Sequence, residues 1–214
     1  MNVAKSYIGV LFCVSYDRLV PQSQPSAVPS TTARRTRRVI VDAAIETLAA
    51  DPAATLAEIA EAGDLSRSTL HRHFADRDEL LTAIDAECRR RFTAATSAAR
   101  LGDGGALNAL DRLALEYLDL GPVLGLIFAD NAPIDPDTWE DSDGREQGLS
   151  TTIERGQNSA TEGDIDPELP PDWVLTTFWV LLFGAWLSLK NGMNRRDVAT
   201  YLSRTFRKAV GTAH

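Results

Sequence analysis

The chain has 214 residues, 44% of them hydrophobic and 24% charged, with a net charge of −8. That composition suits one or two soluble globular domains and excludes a disordered or collagen-like chain. Two cysteines, Cys13 and Cys88, are too few for a disulfide scaffold and fit a reducing compartment.

Residues 1–33 differ in character from the rest of the chain. An uncharged run over 7–16 precedes Pro21, Pro25 and Pro29, set among Ser, Thr and Gln. Without a small-x-small cleavage site the segment reads as a flexible N-terminal arm rather than an export signal. From Arg34 the pattern becomes helical. Ile40, Ala43, Ala44, Thr47 and Leu48 share one face of a first helix, which Asp51-Pro52 breaks. Thr55 and Glu58 form a capping box that opens a second helix, with Leu56, Ile59 and Ala60 inward. Gly63-Asp64 makes a tight turn, and Ser66 caps a third helix in which Leu70 and Phe74 are buried. Asp76 with Glu79 starts a fourth, carrying Leu80, Leu81 and Ile84 inward.

The remainder keeps this character. Helices are expected over 106–120, with Leu110, Leu113 and Tyr117 on one stripe, and from Pro122 through Phe128. Loops are expected at 131–136 and 163–171, around a polar helix over 139–160. Helices over 173–190 and 194–210 end the chain. The run at 173–189 is interrupted by Thr176, Thr177, Gly184 and Ser188, so no membrane span and no membrane partner are expected. With no alternating strand pattern and no internal repeat, the fold class is all-α.

Helices two and three, separated by a short turn, have helix-turn-helix spacing, over about 56–75. The third helix must bury one side and offer polar donors on the other, as a helix in the major groove requires. Ser68, His71 and Arg72 lie opposite Leu70 and Phe74, with Arg67 and Thr69 at the helix start. No outward residue is acidic. The charge is also unevenly placed: residues 1–91 hold 12 Lys and Arg against 12 Asp and Glu, whereas 131–172 hold 12 acids and two arginines. Arg34, Arg35, Arg37 and Arg38 form a basic cluster, so the acidic total does not exclude a polyanion.

The stretch RRVIVDAAIETLAADPAATLAEIAEAGDLSRSTLHRHFADRDELLTAID, residues 37–85, resembles the N-terminal domain of TetR-type transcriptional regulators. Ala43-Ala44, Ile59-Ala60, Leu65-Ser66, Thr69-Leu70, His73-Phe74 and the run from Arg77 to Leu81 carry the likeness. Asp64 stands where the family often has Gly, His71 where Tyr is usual, and Ser68 where Gly is common. The resemblance implies a flexible arm at 1–33, a DNA-binding domain at 34–93 and a helical ligand-binding and dimerisation domain at 94–214. The double-stranded operator would be met by Arg34, Arg35, Arg37, Arg38, Thr55, Arg67, Ser68, Thr69, His71, Arg72 and Arg77. A small-molecule effector, unidentified, would be lined by Phe92, Leu113, Tyr117, Phe128 and Trp139. A homodimer would form through the last two helices.

On those helices Trp179, Phe183 and Trp186 make one aromatic stripe, and Val198, Leu202 and Phe206 an apolar one; these six residues are the expected interface. His71 and His73 diverge on a helix, so no metal is expected, and no cofactor. No Gly-rich phosphate loop, GxSxG or HExxH is present, and no enzyme is expected. The implied function is a cytoplasmic, ligand-responsive regulator, a repressor that binds a palindrome as a dimer. A helical interaction module that does not bind DNA, or a small all-helical enzyme, are the rival readings.

Overall fold

The computed structural model describes residues 30–129, 134, 145–158 and 163–212. Among them lie nine helices: α1 (Thr31–Ala50), α2 (Leu56–Ala62), α3 (Arg67–His73), α4 (Arg77–Ala99), α5 (Ala106–Leu118), α6 (Pro122–Ile127), α7 (Arg145–Asn158), α8 (Pro171–Lys190) and α9 (Arg195–Val210). Packing divides the chain into two units. One holds the residues up to Glu87 with Gly125–Trp139, the other Cys88–Leu124 with Glu140–His214, so far as these are described.

In the first unit, Ser30 caps α1 by accepting the amide of Ala33 at 3.2 Å, so the helix starts three residues before the expected domain boundary. Ile40, Val41, Ala44, Ile45 and Leu48 form its buried face, against α2 and α3. Leu80 and Ile84 of α4 are buried; Leu81 is half-buried. α4 opens where Asp76 Oδ1 accepts the Glu79 amide at 2.8 Å.

In the second unit α5 is the central helix, packed against α7, α8 and α9. It buries Leu107, Leu110, Leu113, Ala114, Tyr117 and Leu118. α7 occupies the described part of the expected polar helix. Near its C-terminal end, a Cβ on Gly156 would lie 2.6 Å from Ala106 Cβ and 2.7 Å from Ile165 Cδ1, so any larger residue must displace them. Asp164 caps α5 across the unit, its Oδ2 accepting the Leu107 amide at 2.9 Å.

α8 and α9 pair as an antiparallel hairpin, turned at Gly192 in the left-handed region (φ 88°). Asn194 caps α9 through the Arg196 amide at 2.8 Å. By length and composition α8 is long and apolar enough to cross a membrane, against the sequence expectation. The hydroxyls expected to interrupt the run do not, because a helical Ser or Thr satisfies itself on the preceding turn, as Ser188 does on Gly184 O at 2.8 Å. Val174, Phe178, Leu182 and Ala185 of α8 are nonetheless buried within the unit.

Candidate nucleic-acid interface

The expected helix-turn-helix is present, and its local geometry is set by capping. Thr55 donates its amide to Glu58 Oε2 at 2.7 Å and its hydroxyl to the same oxygen at 2.8 Å, while the Glu58 amide donates to Thr55 Oγ1 at 3.3 Å. The amide bond, then the hydroxyl bond, hold the Glu58 carboxyl below its ordinary pKa. Between α2 and α3 the chain reverses at Asp64, which takes the left-handed conformation the turn requires (φ 51°). Ser66 then caps α3, accepting the Thr69 amide at 3.1 Å. Its hydroxyl also lies 2.9 Å from those of both Ser68 and Thr69.

α3 is anchored from below. Leu70 and Phe74 are buried, and the Phe74 amide donates to Leu70 O at 2.9 Å. The Arg37 guanidinium sits 3.9 Å over the Phe74 ring and donates to His73 O at 2.6 Å and Glu79 Oε1 at 3.2 Å. Glu79 Oε2 in turn accepts the Ala75 amide at 2.8 Å. One arginine thus ties α1 to the end of α3 and the start of α4. Arg77 does the same on the other side: it donates to Ala54 O at 2.6 Å and Pro52 O at 3.3 Å, fixing the segment that leads into α2.

These bonds sort the expected DNA-contacting residues. Arg34, Arg35, Arg67, Ser68, His71 and Arg72 are exposed, as is Arg38 beside Asp42 in a long ion pair of 3.8 Å. Thr69 is half-buried with its hydroxyl on Ser66. Arg37 and Arg77 have their guanidiniums on main-chain carbonyls, and the Thr55 hydroxyl is taken by the capping box. Those three have bonds within the motif that brace it, although Thr55 is itself exposed. The partners of the two arginines lie 23 to 42 residues away in sequence, so no local pattern announces their role.

The expected effector residues separate. Phe92 and Tyr117 are fully buried together, ring centroids 4.7 Å apart, and the Tyr117 hydroxyl is 2.8 Å from that of Thr96. Leu113 is buried in the same unit. Phe128 is half-buried and belongs to the other unit, and Trp139 lies outside the described residues. Two aromatics of α8 complete the cluster: Trp179 stacks on Tyr117 at 5.7 Å and Phe178 meets it edge-on at 6.3 Å.

The expected interface residues divide into two groups. Val198, Leu202 and Phe206 are buried inside their own unit, with Phe206 edge-on to Phe178 at 5.8 Å. They pack in the core of their own unit. Trp179, Phe183 and Trp186 are only half-buried, and Trp179 belongs to the Tyr117 cluster. The large apolar side chains that α8 and α9 leave exposed are instead Trp173, Val180, Leu187 and Tyr201. The first three recur every seven residues along one side of α8, beside the open Gly184. Among the described residues no group of His, Cys, Asp and Glu could hold a metal ion.

Residues 40–84 match the family model described as bacterial regulatory proteins, tetR family. The HTH-type transcriptional repressor LfrR of Mycolicibacterium smegmatis is 30% identical over 187 residues, covering 87% of this chain and 96% of that protein. The solved structure of LfrR in complex with proflavine superposes with a TM-score of 0.65 over 84% of this chain and 99% of that one. NalD of Pseudomonas aeruginosa, a secondary repressor of a multidrug efflux pump, shares the fold at 17% identity and a TM-score of 0.54, over 86% of this chain and 100% of its own.

Proposed function

Since the chain belongs to the tetR family of bacterial regulatory proteins, and is thus a ligand-responsive DNA-binding transcriptional regulator, we propose that it is a repressor that grips a palindromic operator as a homodimer. The observation that carries this is the outward side of α3. Arg67, Ser68, His71 and Arg72 are exposed there with no acid among them, on a helix locked from beneath by Leu70, Phe74 and Arg37. Such a surface suits base edges and phosphates. Arg34 and Arg35 at the start of α1 supply further phosphate contacts.

A lone helix-turn-helix reads only a few base pairs, so operator affinity requires two of them at fixed separation. The heptad-spaced Trp173, Val180 and Leu187, with Tyr201, are the surface through which a second copy docks. An apolar face of that kind on α8 is consistent with this use and needs no lipid.

The effector belongs to the class of planar aromatic cations, as LfrR's capture of proflavine suggests by similarity. Within the Tyr117 cluster the half-buried Trp179, stacked on that ring, is the one left in part accessible to such a ligand. Repressor and operator meet in the cytoplasm. A mobility shift on the region upstream of its own coding sequence, with and without proflavine, tests the reading. A specific complex that proflavine dissolves is expected; equal affinity for that duplex and a random one would overturn it.

A further inference from the structure

Five consecutive carbonyls at the exit of α4 are held by two arginines from different helices. Arg112 on α5 donates Nε to Ala99 O at 2.9 Å, and Nη2 to Arg100 O at 2.9 Å and Asp103 O at 2.7 Å. Arg155 on α7 donates Nη2 to Leu101 O at 2.8 Å and Nη1 to Gly102 O at 3.1 Å. The last carbonyls of a helix have no partners within it; Arg112 supplies one to Ala99 O, and the other bonds hold the loop that follows. The path they hold is unusual, because Arg100 carries a side chain in the left-handed region (φ 46°). Such a conformation is strained and persists where surrounding bonds over-determine it.

The two arginines are not equivalent. α5 also holds α4 higher up, through Tyr117 against Phe92 and Thr96. Its grip therefore spans two turns of α4, and Arg112 only completes it. Arg155 reaches the same loop from α7, a helix packed against α5 and α8. Its Nε is buried with no hydrogen-bond partner among the described residues. A buried donor left unsatisfied weakens the net gain from the other two bonds. The Arg155 half is thus the more easily released, and any displacement of α7 reaches the end of α4 through it.

We propose that Arg155 is a positioning residue for operator binding: from α7 it fixes the loop that leaves α4, and through it the end of the helix that follows α3. The proposal rests on the DNA-binding reading above. It makes α7 a lever on α4 that acts through two hydrogen bonds rather than through packing alone.

The test uses the full-length protein with Arg155→Met and Arg155→Lys. Affinity for the upstream duplex and for a random duplex is measured beside amide hydrogen exchange. The amides of Arg100 and Asp103 report the loop, since they bond to Ser97 O and Arg100 O. Arg155→Met is expected to speed exchange at those amides and weaken binding to the upstream duplex about tenfold, a typical coupling between sites. Binding to the random duplex should stay unchanged. Arg155→Lys, which keeps the charge and can keep one bond, should restore part of the preference. Faster exchange with full preference retained would overturn the proposal, as would an equal loss on both duplexes. Should the wild type itself show no preference, the DNA-binding reading fails separately, and unchanged exchange in Arg155→Met would still refute the clamp.

Discussion

The arginines of the first unit differ in what they do, and their substitutions should separate accordingly. Arg72 is exposed on α3, on the side proposed to meet base edges. Arg72→Ala is expected to cost roughly 1–3 kcal/mol of specific binding and to relax preference at one base position. Arg35→Ala, at a proposed phosphate contact, should weaken all duplexes alike and lower the salt slope by about one. Arg37→Ala should also weaken operator binding, but with the salt slope of the wild type, because its guanidinium is on His73 O and Glu79. Titrations over a salt series check all three, and a lowered slope for Arg37→Ala would return it to the phosphate-contacting group. Glu58 yields a second test at this scale. Its pKa in the fold lies below the ordinary value of 4.5. The cap's contribution is therefore fully present above that value and is lost as pH falls through the lowered one. The gap in melting temperature between wild type and Glu58→Gln should shrink as pH drops below about 4.5; a constant gap would show that the charge is irrelevant to the cap. Caps of this kind were legible in the sequence because Thr55 and Glu58, or Asp76 and Glu79, sit three residues apart. The bracing by Arg37 and Arg77 was not, since it depends on segments that only tertiary structure brings together.

At the level of elements, α8 explains where the sequence ceased to be informative. A helix apolar on nearly every side does not reveal which stripe its own chain covers. Val174, Phe178, Leu182 and Ala185 face inward, while Trp173, Val180 and Leu187 face out. The aromatic stripe Trp179, Phe183 and Trp186 falls between them, roughly a third of a turn from either at 100° per residue. For α9 the stripe Val198, Leu202 and Phe206 was correctly seen as apolar, but its partner is α8 of the same chain. Two variants now distinguish core from interface. Leu187→Glu should halve the mass measured by light scattering and abolish operator binding, with helical content preserved. Leu202→Ala should instead lower the melting temperature, by about 2–5 kcal/mol of stability, and leave the folded protein dimeric. The opposite pattern would restore the α9 stripe to the interface.

For the molecule as a whole, the all-helical class and the order of elements could be read from periodicity and breakers, because each helix is signalled within its own turn or two. The division into two units could not be placed as well. Packing separates them within α4, after Glu87, rather than after residue 93, and assigns Gly125–Trp139 to the first. A helix interior carries no break in its pattern to mark such a change of neighbours. Residues 1–29 of the arm expected at 1–33 lie outside the described residues. Removing them should leave melting temperature, mass and operator affinity within error of the full chain, as expected of a segment without the periodic core pattern. A large loss of any of the three would show that the arm takes part in the folded protein.

The crowding around Gly156 has a genetic use. Alanine there forces Ala106 and Ile165 apart, and overpacking of this kind typically costs about 1–3 kcal/mol. A fold with that much less stability keeps most molecules native in the cool and loses them on warming. Cells carrying Gly156→Ala should hold the target genes silent at low growth temperature and express them at high temperature with no inducer added. A conditional allele of that sort would expose the regulated genes by a simple temperature shift, before any effector is known.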